Sequence, residues 1–421
     1  MRSSSLAILA SITLFACSQT DSDDKQEIAV ARSSLARDTA PVISDADRAT
    51  FSDDRAEFAV DLLKTVAQET NGNVLVSPHS ASIALAMTYA GTDGTTKAEM
   101  AKALRFSLPD DRLHAAFNST DLALASRQHE ATTEGGGSVQ LSSANSLWSQ
   151  NGTSGYAPAF LDTLARSYGT GVNLLDFIRD EGESARKTIN AWVSDKTEEK
   201  IPELLAKGTT IGASWVLVNA LYLKANWQRR FEKSATVDAS FTTASGSTVT
   251  VPMMRATESL RSVHRDDFDA VEIPYDGGDL AFVAIAPAPG TFATFVSTFT
   301  GKTFRELPLD AHQVELSMPR FETRTSVDLT KALEKLGMPT KGEFPGAADA
   351  IVVIQEAMLI AQEDGTEAAA STAVVGFESS APVDPPELLK ISLDRPFVYA
   401  IVDKPTGTIL FLGETLDASV K

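Results

Sequence analysis

Between Phe51 and the C-terminus, apolar residues recur first at helical and then at alternating spacing. In "RAEFAVDLLKTVAQE", Phe58, Leu62 and Val66 share one face of a helix. "NGNVLVSPHSASIALAMTYAGTDGTTKAEMAKAL" predicts a short strand, a Ser-Pro helix start, an apolar helix, a Gly-rich turn and a second helix. "ARKTINAWVSDKTEEKIPELLAKG" predicts an amphipathic helix running into a proline break, and "TSVDLTKALEKLGM" a capped one. "SSANSLWSQ", "VNLLDF", "SWVLVNALYLKANW", "VEIPYD", "LAFVAIAPA", "VELSMPRFETR", "IVVIQEAMLIA", "FVYAIVD" and "TGTILFLGE" predict strands. Helices cluster in the first half and strands dominate the second. That order predicts an α+β fold with large antiparallel or mixed sheets and no domain boundary after residue 51. No repeat of 20–50 residues is visible.

The N-terminal pattern differs. Arg2 precedes the 11-residue apolar stretch "LAILASITLFA", long enough for a signal peptide and too short to span a bilayer. It ends in "LFAC", where Cys17 is the sole cysteine of the 421 residues. Leu14 and Ala16 stand where a bacterial lipobox has them, so residues 1–16 are expected to be a lipoprotein-type signal and Cys17 the lipidated first residue of the mature chain. A plain secretory cut near Ala16 is the alternative. One thiol cannot form an internal disulfide; two or three acyl chains on it would anchor the protein. Ser18 is not the aspartate that retains lipoproteins in the inner membrane, which points to the outer one, with release to the exterior as the alternative. Residues 17–50 are polar, mixed in charge, and expected to be a flexible tether.

Composition narrows the function. The chain is 43% hydrophobic and 22% charged, as suits a soluble globular protein with a large core, and its net charge is −19. That charge gives no general attraction to nucleic acid or anionic lipid. "WQRRFEK" is the densest basic stretch and reads as a solvated surface or a local ion pair. The five histidines, His79, His114, His129, His264 and His312, have no metal-ligand spacing. There is no G-x-S-x-G elbow, and "GTDGTTK" lacks the end of a phosphate loop. Neither an enzyme nor a cofactor or metal protein is expected.

The motifs taken in order carry a family resemblance. "NVLVSPHSASIALAMTYAGTDGTTKAEM", with Asn73, Ser77, Pro78 and Ser80, is followed by "LSSANSLW", "INAWVSDKTEEKIPELL" and "WVLVNALYLKANWQRRF" with Trp215 and Asn219. "IPYDGGDLAFVAIAP", "VELSMPRFE", "VDLTKALEKLGM" and "RPFVYAIVDKPTGTILFLGE" complete the series. Residues 51–421 thus resemble the serpins, serine protease inhibitors consumed in a single turnover. The resemblance implies three β-sheets, one of them large and central, surrounded by eight or nine helices, with an exposed reactive-centre loop at about residues 363–386. It also implies a monomer whose partner is a serine protease held covalently. Ser77, Ser80, Trp215 and Asn219 fall in the region where the main sheet opens. Gln355 stands where the family usually has a histidine; its amide donates and accepts, and so suits Asn219, but takes up no proton.

"EDGTEAAASTAVVGFESSAP" resembles the hinge and loop of that family, with Gly365, Thr366, Glu367, Ala368, Ala369 and Ala370 as the hinge. After cleavage the loop is expected to insert as a central strand. Alternate residues from Thr366 are small and uncharged, which suits burial of one strand face. The hinge is expected to be exposed beforehand. Fourteen residues beyond Gly365 lies Ser379, which gives Ser379–Ser380 as the reactive bond and favours elastase-like or subtilisin-like proteases; Phe377–Glu378 is the runner-up. The competing function is that of a non-inhibitory member acting as a binding or carrier protein. Such members often have bulky or charged hinge residues, and this chain has none on the inserting face.

Overall fold

The computed structural model describes residues 26–130, 137–152, 155–345, 348–366 and 388–420. Nine α-helices are present among them: α1 Asp45–Ala67, α2 Pro78–Tyr89, α3 Gly94–Ala103, α4 Asp110–Ala125, α5 Pro158–Thr163, α6 Glu183–Lys196, α7 Phe292–Thr298, α8 Gly301–Arg305 and α9 Leu329–Lys335. One sheet contains β1 (Ala29–Ala31), β3 (Val139–Gln150), β4 (Val172–Leu175), β5 (Trp215–Asn226), β11 (Phe321–Asp328), β12 (Lys341–Phe344), β13 (Ala348–Gln362) and β14 (Gly365–Thr366). Its order is β1-β4-β3-β5-β14-β13-β11, with β12 on β13. The other contains β2 (Val74–Val76), β6 (Val237–Thr242), β7 (Thr248–His264), β8 (Phe268–Pro274), β9 (Leu280–Pro287), β10 (Asp310–Pro319), β15 (Leu388–Ser392), β16 (Phe397–Asp403) and β17 (Thr408–Thr415), in the order β15-β10-β7-β8-β9-β16-β17-β2 with β6 on β7. The 17-residue β7 pairs with β6 over Thr248–Met253, with β10 over Met253–Ser262 and with β8 over Arg261–His264. It thereby joins into one hydrogen-bonded surface what the resemblance counts as two sheets.

Alternation explains the layering. β16 and β17 lie inside the second sheet, between β9 and β2, and are buried on both faces, so they read as largely apolar runs. α2 is buried along its whole length because the two sheets and α1 enclose it. One face of the second sheet meets α1 and α2 through residues such as Phe58, Leu62, Val283 and Leu412. The other carries Phe282, Tyr399 and Phe411 towards the large sheet.

The tether expectation needs correction from Gln26 onward. β1 pairs antiparallel with β4 and becomes the edge strand of the large sheet. The Gln26 side chain accepts from the Asp176 N–H and donates to its carbonyl, and the Gln26 N–H donates to Thr188 on α6. Ser33 donates to Asp162, and Arg37 reaches Asn118 and Asp121 on α4. α1 begins at Asp45 because Ser44 caps it and Asp45 and Asp47 favour its positive end. Polar composition failed as a guide here because the segment is held by hydrogen bonds, with little apolar burial of its own.

Candidate functional site: the seam of the large sheet and the hinge

β5 and β13 run side by side in parallel over seven rungs, Trp215–Leu221 against Ile351–Ala357. Beyond that seam the strands part. β14 enters between them, antiparallel to both, with Gly365 opposite Asn226 and Gln362, and Thr366 opposite Ala225 and Ala361. Gly365 has φ +146°, and a Cβ there would lie 2.1 Å from the Ala225 carbonyl oxygen, so the position requires glycine.

The turn feeding β14 is held from several sides. The Trp227 indole N–H donates to the Gln362 carbonyl at 2.8 Å, and the Asn226 side-chain amide donates to the Asp364 carbonyl at 3.1 Å. The Trp227 and Phe231 N–H groups donate to the Asp364 and Glu363 carbonyls. The Glu363 carboxylate accepts from Arg320 and Thr236, and Lys233 pairs with Asp364. Burial pushes the Glu363 carboxyl up, but Arg320 and Thr236 outweigh it and hold it below the usual range. Thr366 is only 1% exposed, and its hydroxyl meets the Tyr275 hydroxyl at 2.6 Å. The Tyr275 ring stacks on Trp227 at 4.6 Å. The expectation that the hinge is exposed before cleavage is therefore corrected for Gly365 and Thr366. Both already sit in the sheet, because the fixed 363–364 turn aims the chain into the gap. Tyr275, Trp227, Asn226 and Arg320 were not singled out in the sequence. The buried aromatics at the ends of "LKANW" and "EIPY" beside turn residues were the signal for two of them.

The residues expected in the sheet-opening region gather at the seam. Gln355 and Asn219 are register partners, and the Gln355 amide donates to the Asn219 side-chain oxygen at 2.6 Å. It also donates to the Ser77 carbonyl and accepts from the Ser77 N–H, which ties the seam to the start of α2. Ser80 donates to Asn145, the partner of Asn219 on β3. The Asn219 NH₂ group is buried without a hydrogen-bond acceptor among the described residues. Trp215 closes the far end of the seam and packs on Tyr156 and Phe160. Asn73 lies elsewhere, bonding the chain near Asp417, and Pro78 opens α2. Cys17, Glu367, Ala368, Ala369, Ala370, Phe377, Glu378, Ser379 and Ser380 lie outside the described residues. So does the proposed cleavage near Ala16. Among the described residues no group of three His, Cys, Asp or Glu side chains is placed to hold a metal, and no helix is long and apolar enough to cross a membrane.

A family model described as serpin (serine protease inhibitor) matches residues 53–418. The leukocyte elastase inhibitor of Bos taurus is 35% identical over 380 residues, covering 85% of this chain and 96% of that protein. An uncharacterised serpin-like protein of Thermococcus kodakarensis is 33% identical, covering 86% and 84%. Among solved structures, the thermophilic serpin tengpin in its native state superposes with a TM-score of 0.78 at 26% identity, over 93% of this chain and all of that one. Thyroxine-binding globulin complexed with thyroxine gives 0.73 at 25% identity, over 87% and 99%. The parted seam, the seated hinge and these similarities together make the chain a member of the serpin family.

Proposed function

We propose that the protein inhibits serine proteases by a single irreversible turnover. The target attacks the loop, forms an acyl-enzyme, and is carried along the large sheet as the freed loop inserts. The observation that carries the proposal is Gly365–Thr366 between β5 and β13, with only small, uncharged residues on the face that would follow. A strand continuing from Thr366 in the same register has a defined end. Trp215 lies ten residues before Ala225, and Ile351 ten before Ala361; these two are themselves partners, so the residue facing both is Gly376. Ser379 lies just beyond, close enough for its ester to remain tied to the inserted strand. Catalysis in the trapped protease fails because its triad tolerates little displacement.

Elastase-like and subtilisin-like enzymes suit cleavage at Ser379–Ser380, and chymotrypsin-like enzymes would suit Phe377–Glu378. The bovine and human relatives are named for inhibition of leukocyte elastase, which supports the first class. Incubation with elastase, subtilisin and chymotrypsin, followed by a denaturing gel, tests the proposal. A gel-stable complex supports it; cleavage without a complex across the panel moves the protein to the non-inhibitory members.

The protein is further proposed to be a lipoprotein anchored through Cys17, in the outer membrane. "LFAC" and the lone cysteine support this. Palmitate labelling that survives Cys17→Ser would contradict it.

A further inference from the structure

His129 and Asp276 form the one histidine–carboxylate pair beside the hinge among the described residues. The His129 Nε2 lies 2.9 Å from Asp276 Oδ2, and its Nδ1 lies 3.1 Å from the Arg127 carbonyl. Asp276 belongs to the turn between β8 and β9, as do Tyr275, Gly277 and Gly278. Its N–H donates to the Asn226 carbonyl at 2.8 Å. Asn226 pairs with Gly365, holds the Asp364 carbonyl, and accepts from the Ser138 N–H and hydroxyl. His129 in turn exchanges both backbone hydrogen bonds with Val139. The space for this arrangement depends on glycine: a Cβ on Gly137 would lie 2.3 Å from the Asp276 carboxyl carbon. The start of β3, the 275–278 turn and the hinge are thus closed into one clasp, and its fastening is the His129–Asp276 pair.

We propose that His129 and Asp276 are positioning residues for the hinge. Their ion pair fixes the turn that holds Tyr275 against Thr366, so the protonation of one histidine sets how firmly the first loop residues are seated in the large sheet.

Solvent reaches the switch. His129 lines a cavity of about 560 Å³ with Gln128, Glu130, Ser138, Glu198 and Lys224. The charged groups facing it are Asp276 from its own turn, Lys224 from β5, Glu198 from beyond α6 and Glu130 from its own segment. The Arg127 side chain turns away to Asp403 and Asp279. The hydrogen bond to Asp276, opposed by partial burial, raises His129 above its ordinary value of 6.5. The sign follows: a raised histidine contributes fully below 6.5, and its contribution is lost as pH rises through the higher folded value. The clasp is therefore tight below 6.5 and loosens as pH rises through the raised folded value. A loosened hinge starts insertion later and loses more loops to hydrolysis.

The consequence for inhibition rests on the proposed function; the clasp itself does not. The test uses the whole protein with His129→Gln and Asp276→Asn, and reads two quantities from about pH 5.5 to about pH 8.5, the range in which a histidine changes charge. The first is Trp227 emission, with Trp227→Phe as the blank. It is expected to titrate in the parent with a midpoint above 6.5 and to stay flat in both variants. The second is the number of inhibitor molecules consumed per subtilisin trapped. It is expected to rise about two- to fivefold more in the parent than in the variants across the range, as a partly exposed pair allows. Superimposable Trp227 titrations, or complexes whose stoichiometry follows the same profile in parent and variants, overturn the inference. A parent-specific Trp227 titration with no gel-stable complex upholds the clasp and removes the inhibitory reading instead.

Discussion

At the scale of the residue, Thr366 carries the most consequence. Its buried hydroxyl against Tyr275 means that Thr366→Arg acts twice. It opposes insertion by burying an unpaired cation, and it also disturbs the native hinge, at a cost of several kcal/mol in either setting. The variant is expected to be cut at the same bond as the parent, to form little complex, and to unfold at a lower temperature before any cleavage. Thr366→Val separates the effects: it keeps the volume and leaves the Tyr275 hydroxyl without its partner, which costs about 1–3 kcal/mol. A Thr366→Arg protein that traps protease as well as the parent would remove the hinge from the mechanism. The alternation from Thr366 was legible in the sequence because period two shows in any row of residues. That Thr366 is already buried was not, because its partner Tyr275 lies 91 residues away.

Glu414 is a second such residue. It is buried on β17, and burial alone pushes its carboxyl up to about 7. Below the unfolded value of 4.5 both states hold the proton. Between 4.5 and about 7 the unfolded chain has lost it and the folded one has not, so stability falls as pH rises, by about 3 kcal/mol in all. Glu414→Gln is expected to be more stable than the parent at pH 8, with the advantage shrinking towards pH 5; thermal unfolding at the two pH values checks this.

At the scale of the element, the proposed mechanism requires the seam between β5 and β13 to open while the strap from Gln26 to Ser44 stays closed. Gln355 satisfies both backbone groups of Ser77 as well as the Asn219 oxygen. Gln355→Ala leaves these buried groups unpaired, at a cost of about 1–3 kcal/mol. Gln355→His, which restores a donor and an acceptor, is expected to cost less. Denaturant midpoints at constant slope give the comparison; equal losses in the two variants would mean that the amide network adds nothing at the seam. For the strap, Gln26→Ala with Arg37→Ala removes its side-chain tie to Asp176 and its tie to α4. Trypsin is expected to cut at Arg32 several times faster in that double variant, whereas equal rates would show that β1 is loosely held. Strands such as β5 and β13 were legible because both faces are buried and the apolar runs are long. β1 is three residues with an exposed pattern, and its place at the sheet edge is fixed by β4 and Thr188, far along the chain. Ser44 followed by Asp45 and Asp47 marks the start of α1 six residues before Phe51, a cap signal that the tether reading of residues 17–50 passed over.

At the scale of the whole molecule, the proposed mechanism places the driving force in the large sheet. Insertion replaces seven parallel rungs between β5 and β13 with antiparallel pairing on both sides of a new strand, the slightly more stable arrangement per residue. A strand of about 12 residues covers about 40 Å, enough to carry a bound protease from one end of the sheet to the other. On that mechanism the native state is held by a kinetic barrier and not by equilibrium. The order of elements and the wide sheets were legible from the sequence as one pattern. The parting of β5 from β13 above Leu221 was not, because both strands look equally apolar on either side of it.

The most direct measurement of this mechanism is made on subtilisin incubated with the whole protein. The denatured mixture is resolved on a gel, and the released C-terminal peptide is weighed by mass spectrometry. The expected result is a covalent band of summed mass and a peptide beginning at Ser380. A peptide beginning at Glu378 would move the reactive bond to Phe377–Glu378 and leave the trap intact. Complete cleavage of the loop with no covalent band, for subtilisin and for elastase alike, would contradict the trapping mechanism itself.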